Sequence, residues 1–264
     1  MRKYLTLFGL SWQKQLEVRS DFLFERARSM AVLVSIYFLW STLLEKQSDL
    51  MGYNRVELLT YVLIMTLLRA WVLGCVSDRI PSEIATGKLS ELLLRPISHM
   101  GYWATQDAAM KSLNIVFAIP EVLVFSLLMS APFYLPHHAL TTILFGLSVF
   151  GGMVLYFQMS YMLGVMGFWG SQSWGPRFCF EVILEFCAGA YFPIDILPAA
   201  VQKIISALPF PYLVYYPLSI YLERLSPAAL LSSFLHQAGW IALLAFLLNN
   251  FWKLGLRRYA AEGG

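Results

Sequence analysis

Three carboxylates lie within long apolar runs of the sequence, where an ionisable group is costly to bury. Glu121 follows Pro120 inside the run 108–129, and Glu181 and Glu185 are one helical turn apart in the run 178–191. A charged side chain in hydrocarbon costs about 3 kcal/mol or more, so such residues commonly serve ions, protons or substrates. These three are therefore candidates for a transport pathway or for a buried polar role.

Each acid also has a simpler interpretation. Glu181 and Glu185 suit a place at a membrane surface near Arg177, as solvated anchors, and this interpretation is the favoured one. Glu121 is the stronger candidate for burial, either paired with Arg69 or facing a seam between two subunits.

A fourth acid is expected to be structural. Asp107 and Lys111 are four residues apart at the start of the run 108–129. On a helix this spacing brings the two side chains together, so we predict a local ion pair that eases insertion.

Motifs for catalysis and for metal binding are absent from the sequence. It has no GxxxxGK[ST] loop for nucleotide phosphates, no HExxH and no GxSxG. Cys75, Cys179 and Cys187 lack metal-site spacing, and the adjacent His137 and His138 suit a membrane-surface loop better than a metal site. We predict that the chain is not an enzyme, binds no cofactor or metal, and leaves any use of ATP to another subunit.

Composition places the chain in a lipid bilayer. Of 264 residues, 58% are apolar and 13% charged, with a mean hydropathy of +0.62, whereas soluble domains carry roughly 25% charged residues. The Leu-rich runs are longer than the alternating strands of a barrel. We predict an all-α integral membrane protein with one transmembrane domain over 1–264, contacting membrane lipids. The net charge of +3 sits in particular loops and indicates no nucleic-acid partner.

The apolar runs predict six spans, because each crossing needs about 20 apolar residues. They cover 29–44, 58–76, 108–129, 140–168, 178–191 and 230–251. Residues 1–25 carry Tyr4, Phe8, Trp12 and Leu16 at intervals of four, which suits a helix in the interface plane. Glycines in the run 140–168 favour close helix packing.

Prolines divide residues 192–217 into pieces too short to span, so we predict re-entrant or surface helices there. The same stretch is rich in aromatic residues. Phe210, Tyr212, Tyr215 and Tyr216 are candidates for an external gate, although an interfacial aromatic belt is the commoner reason for such density.

Residues 79–97 form a short charged amphipathic segment between two apolar runs. One helical face holds Leu89, Leu92 and Leu93, and the opposite face holds Lys88, Glu91 and Arg95. An ordinary surface helix is the plain interpretation. A segment that lies on the membrane surface and is moved by a soluble partner suits a chain that cannot itself use ATP.

The basic residues predict sidedness. With a cytoplasmic amino terminus, the same side also holds 79–97, the turn 169–177 and the carboxyl terminus. That side collects thirteen Lys and Arg, at positions 2, 3, 14, 19, 26, 28, 79, 88, 95, 177, 253, 257 and 258. The opposite side holds four, Lys46, Arg55, Lys203 and Arg224. Because cytoplasmic loops carry the excess of positive charge, both termini are predicted to be cytoplasmic.

Three stretches carry a family resemblance. Residues 87–96 (Gly-Lys-Leu-Ser-Glu-Leu-Leu-Leu-Arg-Pro), the proline-rich 192–217 and the closing Gly-Leu-Arg-Arg-Tyr at 255–259 occur in an informative order. In these features the sequence resembles the permease subunits of type 2 ABC exporters, particularly a little-characterised bacterial branch. The resemblance covers nearly the whole chain.

The resemblance implies a six-span permease of the bacterial cytoplasmic membrane, with an interfacial helix, a coupling helix after the second span and external re-entrant helices. It implies two partners, a separate cytoplasmic ABC ATPase dimer and a second permease subunit, identical or paralogous. By the same similarity, the ATPase is contacted by Glu83, Lys88, Glu91 and Arg95, while Leu89, Leu92 and Leu93 pack against the permease body. We call residues 79–97 the coupling segment.

Two other functions are compatible with the sequence. One is a membrane scaffold or immunity-type protein that uses the same fold without moving a substrate. The other is an ion-coupled carrier that works alone and binds protons at Glu121, Glu181 or Glu185.

Overall fold

The computed structural model describes residues 2–17, 19–46, 49–50, 52–170 and 174–259. Within them, regular structure is helical apart from two antiparallel two-residue strands, β1 (Asp49–Leu50) and β2 (Tyr53–Asn54). The helices are α1 (Arg2–Glu17), α2 (Arg19–Lys46), α3 (Arg55–Trp71), α4 (Ile80–Ala85), α5 (Lys88–Leu93), α6 (His99–Leu128), α7 (Ala139–Val165), α8 (Trp174–Cys187), α9 (Ala199–Ser206), α10 (Tyr215–Tyr221) and α11 (Pro227–Arg258). The predicted all-α class is confirmed.

Four helices in the described ranges are long and apolar enough to cross a membrane. They cover Leu23–Glu45, His99–Leu128, Ala139–Phe168 and Pro227–Arg258, in the regions of the predicted first, third, fourth and sixth spans. The remaining two regions hold α3 with 17 residues and α8 with 14. At 1.5 Å per residue these helices are about 26 and 21 Å long, less than the roughly 30 Å of hydrocarbon. The six-span count therefore stays a prediction.

The boundaries of the helices do not coincide with those of the apolar runs. Capping hydrogen bonds set where a helix begins, and hydropathy does not detect them. The Ser98 side chain caps α6 by accepting a hydrogen bond from the Gly101 backbone. The helix therefore begins nine residues before the predicted span. Ser226 caps α11 in the same way. In contrast, α3 ends at Trp71, five residues before the predicted end at Val76.

The helix α3 occupies the centre of the bundle and packs against α2, α6 and α10. Its residues 58–66 are buried without interruption, as expected of a helix apolar on every side. On the other side of the bundle, α7 packs along α11. The first helix, α1, lies against α6, where Nε1 of Trp12 donates to Oγ of Ser112 at 2.8 Å.

The far end of the bundle, opposite the coupling segment, is closed by two adjacent residues of the α10–α11 connection. The guanidinium of Arg224 lies 3.7 Å from the ring centroid of Tyr53 and 3.1 Å from a carboxylate oxygen of Glu57. Glu223 accepts a hydrogen bond from the Tyr134 hydroxyl at 2.8 Å. Three separate connections are thereby joined at one end.

Candidate functional site

The coupling segment consists of two short helices with a sharp turn between them. After a 3-10 turn over Ser77–Arg79, α4 runs to Ala85, and α5 begins at Lys88. Gly87 separates the two helices with φ of 75°. This left-handed conformation disfavours residues with a Cβ, so the glycine sets the angle between α4 and α5.

Two glycines of the predicted fourth span let the coupling segment approach the bundle closely. A Cβ added to Gly164 would lie 2.8 Å from the carbonyl oxygen of Ser77, and one on Gly167 would lie 2.8 Å from Cα of Pro81. Either distance is shorter than a van der Waals contact. Backbone therefore packs against backbone where α7 ends and the coupling segment begins. Around Gly146, by contrast, no atom lies within 4 Å of such a Cβ in the described structure.

A buried polar cluster attaches α4 to α6, α7 and α11. Oε2 of Glu83 accepts from Nε1 of Trp103 at 3.1 Å and lies 3.4 Å from Nε2 of His99. Nδ1 of His99 is 2.7 Å from the Tyr161 hydroxyl, and its ring stacks on Trp252. The Glu83 side chain is only 11% exposed. The carboxylate of Glu83, which was predicted to face the ATPase, is thus bonded within this chain, and its contact with the ATPase stays a prediction.

The opposite side of the coupling segment is exposed. Lys88, Glu91 and Arg95 all lie on it. These three were predicted to contact the ATPase, and the geometry leaves them accessible. No partner chain tests the contact itself, so it stays a prediction.

The three leucines predicted to pack inward separate into two groups. Leu89 and Leu92 are buried, whereas Leu93 is 46% exposed, so its predicted packing against the permease body is wrong. Leu94, which the sequence analysis missed, is 88% exposed. A short helix buries one narrow face, and three consecutive leucines cannot all lie on it. The run Leu92-Leu93-Leu94 was the available signal.

The three acids of the predicted spans are each paired with an arginine. Glu185 binds Arg69 at 2.7 Å, and Glu121 lies 3.6 Å from Arg26. The predicted alternative that Glu121 pairs with Arg69 is therefore wrong, because α8 supplies the nearer carboxylate. Glu181 binds Arg177, four residues earlier, at 3.1 Å and is 46% exposed.

The predicted local ion pair on α6 is confirmed. Nζ of Lys111 lies 2.7 Å from Oδ2 of Asp107, and both side chains are almost fully buried. The ammonium group also lies 5.8 Å from the ring centroid of Tyr156 on α7. Within the described ranges, no three His, Cys, Asp or Glu residues cluster in a way that could hold a metal ion.

A cavity of about 710 Å³ opens between α1, α2, α3, α6 and α8. Arg69, Arg177, Glu181 and Glu185 all line it. Nη2 of Arg177 donates to Oγ of Ser160 on α7 at 2.6 Å, and Ser160 in turn lies 2.6 Å from Oγ of Ser77. The wall of the cavity is thus hydrogen-bonded to the first residue of the 3-10 turn before α4. From the sequence, Arg177 was expected only near Glu181 and Glu185; its contacts with Ser160 and Ser77 were not predictable, because they join separate elements.

The four aromatic residues proposed as a gate pack within the far half of the bundle. Tyr212 is buried and stacks on Tyr216 with centroids 4.7 Å apart. Tyr215 meets Tyr216 edge-on, and Phe210 meets Phe180. These rings therefore join the 3-10 turn at 210–212 to α8 and α10. The gate stays a prediction.

The sequence matches the model of a family described as ABC-2 family transporter protein over residues 30–263. This chain belongs to the ABC-2 transporter family. The resemblance to type 2 ABC permeases is therefore confirmed. No curated protein matches the chain. As an ABC-2 family member it is a multi-pass membrane component of an ABC transporter, it is not itself the catalytic subunit, and the family implies an ATPase partner.

Proposed function

We propose that this ABC-2 family chain is the transmembrane subunit of an ATP-driven exporter and that the coupling segment receives movement from a separate cytoplasmic ATPase. One observation carries the proposal: the coupling segment is fixed to the bundle on one side and exposed on the other. Leu89 and Leu92 are buried, while Leu94 is 88% exposed.

The contacts between the coupling segment and the bundle suit the transmission of movement. The segment contacts α6 through Glu83 and Trp103, and Oγ of Ser90 lies 3.1 Å from the Tyr259 hydroxyl just after α11. Close backbone packing at Gly164 adds α7. Because packed helices shift as rigid bodies, a push on the segment is passed to three long helices at once.

The exposed face has the make-up of an interface. Leu94 supplies an apolar centre, and the neighbouring exposed residues Lys88, Glu91 and Arg95 supply a charged rim. Interfaces between proteins commonly combine an apolar centre with a polar rim. A groove on the ATPase that accepts a leucine between charged residues is the expected partner surface.

In the proposed arrangement the coupling segment and both termini lie on the cytoplasmic side of a bacterial cytoplasmic membrane. The thirteen basic residues on that side, against four on the other, support this orientation. A second permease chain, identical or paralogous, completes the pathway, and external short helices over 192–217 border its exit. The export direction follows from the family resemblance.

The ion-coupled carrier is not favoured. A proton carrier needs a carboxylate that gains and loses a proton, whereas Glu121, Glu181 and Glu185 are each held by an arginine. Each of the three carboxylates is thus already used in an ion pair within this chain.

Co-purification with the cognate ATPase tests the proposal. Leu94→Asp and Arg95→Glu are expected to weaken ATPase binding by about 30-fold or more, since the loss of an interface anchor costs about 2 kcal/mol. The matched control is Leu135→Asp, because Leu135 is 70% exposed in the α6–α7 connection. Equal binding by all three variants removes the exposed face from the proposal. If no ABC ATPase binds the wild-type chain or changes turnover with it, the scaffold function is favoured instead.

A further inference from the structure

The charged cavity has an excess of basic side chains. Its described lining contains six, Lys14, Arg26, Arg28, Arg69, Arg79 and Arg177, and four acids, Glu25, Asp78, Glu181 and Glu185. Six minus four leaves a net charge of +2 on the lining, or +1 when Glu121, which pairs with Arg26 from outside the lining, is also counted. Three of the acids already form ion pairs: Glu25 with Arg28, Glu181 with Arg177, and Glu185 with Arg69. An anion therefore meets a favourable field in this cavity, and a cation does not.

Two arginines are positioned to hold that anion. Glu181 and Glu185 bind Arg177 and Arg69 from adjacent turns of α8, which are about 6 Å apart along the helix axis. A guanidinium has five N–H donors. Among the described residues, those of Arg69 bond to Glu185 and the Ala190 carbonyl, and the guanidinium also lies 5.3 Å from the ring centroid of Tyr191. Nη1 of Arg177 has no hydrogen-bond acceptor in the part of the chain described here. Donors on both arginines are thus available to a ligand.

The lining continues into an apolar edge. Trp174 and Phe178 both line the cavity, and their rings stack with centroids 5.5 Å apart. They are 77% and 53% exposed, respectively. On α8, Trp174 lies three residues before Arg177, and Phe178 lies three residues before Glu181. Charged and apolar contacts are therefore adjacent, as an amphiphile requires.

We propose that this cavity binds the anionic head group of an amphiphile, with Arg69 and Arg177 holding the anion and the Trp174–Phe178 pair contacting the hydrocarbon chain. The proposal names the substrate class of the proposed exporter and in that respect rests on the proposed function. Binding itself requires no ATPase, so the two proposals fail separately.

Arg177 also connects this site to the coupling segment. It donates to Ser160 at 2.6 Å and, at 3.5 Å, to Ser77, which begins the 3-10 turn before α4. A ligand that draws Arg177 into the cavity competes with these two serine contacts. Occupancy of the cavity is therefore linked to the place where the coupling segment leaves the bundle.

Calorimetric titration of the purified chain in neutral maltoside micelles tests the proposal. The probes are dodecyl phosphate, inorganic phosphate and dodecyltrimethylammonium. Dodecyl phosphate is expected to bind, inorganic phosphate to bind at least about tenfold more weakly for lack of chain contact, and the cation not to bind. Equal binding of the two phosphates overturns the amphiphile assignment. Binding of the cation as tightly as dodecyl phosphate overturns the anion site.

Variants identify the site. We expect two variants to weaken dodecyl phosphate binding about tenfold each, since charge-assisted hydrogen bonds are lost. One is Arg177→Gln, and the other combines Arg69→Gln with Glu185→Gln. The double variant removes a positive and a negative charge together, so its net charge equals that of the wild type. The control Lys203→Gln removes one positive charge at an exposed position outside the cavity and is expected to bind normally. Unchanged binding by both arginine variants overturns the proposal.

A second measurement covers the case in which the arginine variants do not fold. Dodecyl phosphate brominated along its chain is expected to quench tryptophan fluorescence of the wild-type chain. Trp174→Phe should remove a distinct part of the saturable quenching, because Trp174 is 77% exposed at the cavity. If Trp174→Phe leaves all of the saturable quenching in place, the chain-contact assignment is wrong.

Discussion

Oε2 of Glu83 accepts a hydrogen bond from Nε1 of Trp103 at 3.1 Å, so a carboxylate of the coupling segment is fixed to α6. Nε2 of His99, one turn earlier on α6, lies within 3.4 Å of the same oxygen. The charged residues of the coupling segment therefore have two different roles. Glu83 attaches the segment to the bundle, while Glu91 is left exposed.

Removal of the Glu83 carboxylate should destabilise the folded chain. Glu83→Ala removes the acceptor that Trp103 and His99 share, while Nε2 of His99, 3.1 Å from Nε1 of Trp103, remains as an acceptor for the indole; the loss of one hydrogen bond is expected to cost about 1 kcal/mol. Glu83→Gln keeps one acceptor oxygen and should cost less. Thermal unfolding in detergent is the measurement. The matched control is Glu91→Ala, an exposed change expected within about 0.5 kcal/mol; equal effects of Glu83→Ala and Glu91→Ala would contradict the attachment.

Close packing at Gly164 predicts an intolerance to even one methyl group. Gly164→Ala places Cβ 2.8 Å from the Ser77 carbonyl oxygen, and such overpacking typically costs about 1–3 kcal/mol. The control Gly146→Ala has open space around it in the described structure. It should be neutral or stabilising by up to about 1 kcal/mol, because alanine favours helix. The measurement is the unfolding midpoint of each variant. A Gly164→Ala variant as stable as the wild type would mean that the coupling segment does not pack against Gly164.

The buried pair on α6 should show strong non-additivity. Asp107→Leu or Lys111→Met alone leaves one buried charge without its partner, which costs about 3–5 kcal/mol. The double variant removes both charges and should recover most of that loss. A double-mutant cycle on unfolding midpoints measures the coupling between Asp107 and Lys111. Additive losses would show that the two side chains do not interact.

Low pH should lower the stability of the folded chain through the far end of the bundle. Hydrogen bonds from His137 and then Tyr134 lower the pKa of the Glu223 carboxyl from 4.5 to about 2. The folded state therefore favours the carboxylate, and this contribution is complete above pH 4.5 and is lost as the pH falls toward 2. Glu223→Gln should lose less stability than the wild type over this interval. Parallel pH profiles of the wild type and Glu223→Gln, followed by thermal unfolding, would contradict the assignment.

The sequence by itself determined the class of the protein. Apolar runs of helical length required spanning helices, since a bilayer accepts backbone only when its hydrogen bonds are made within the segment. The order of motifs at 87–96 and 192–217 indicated the family, and the family match over residues 30–263 confirmed it. The Asp107–Lys111 pair was also predictable, because four residues on one helix fix the distance between two side chains.

Only the tertiary structure decided which distant residues meet and which face of a short helix is buried. Arg69 and Glu185 are 116 positions apart, and their contact depends on how α8 lies against α3. The choice between Leu93 and Leu92 for burial depends on the rotation of α5 about its own axis, and α5 follows directly from the left-handed Gly87. Local spacing carries no information on such rotations and long-range approaches, because they arise from the simultaneous packing of several helices.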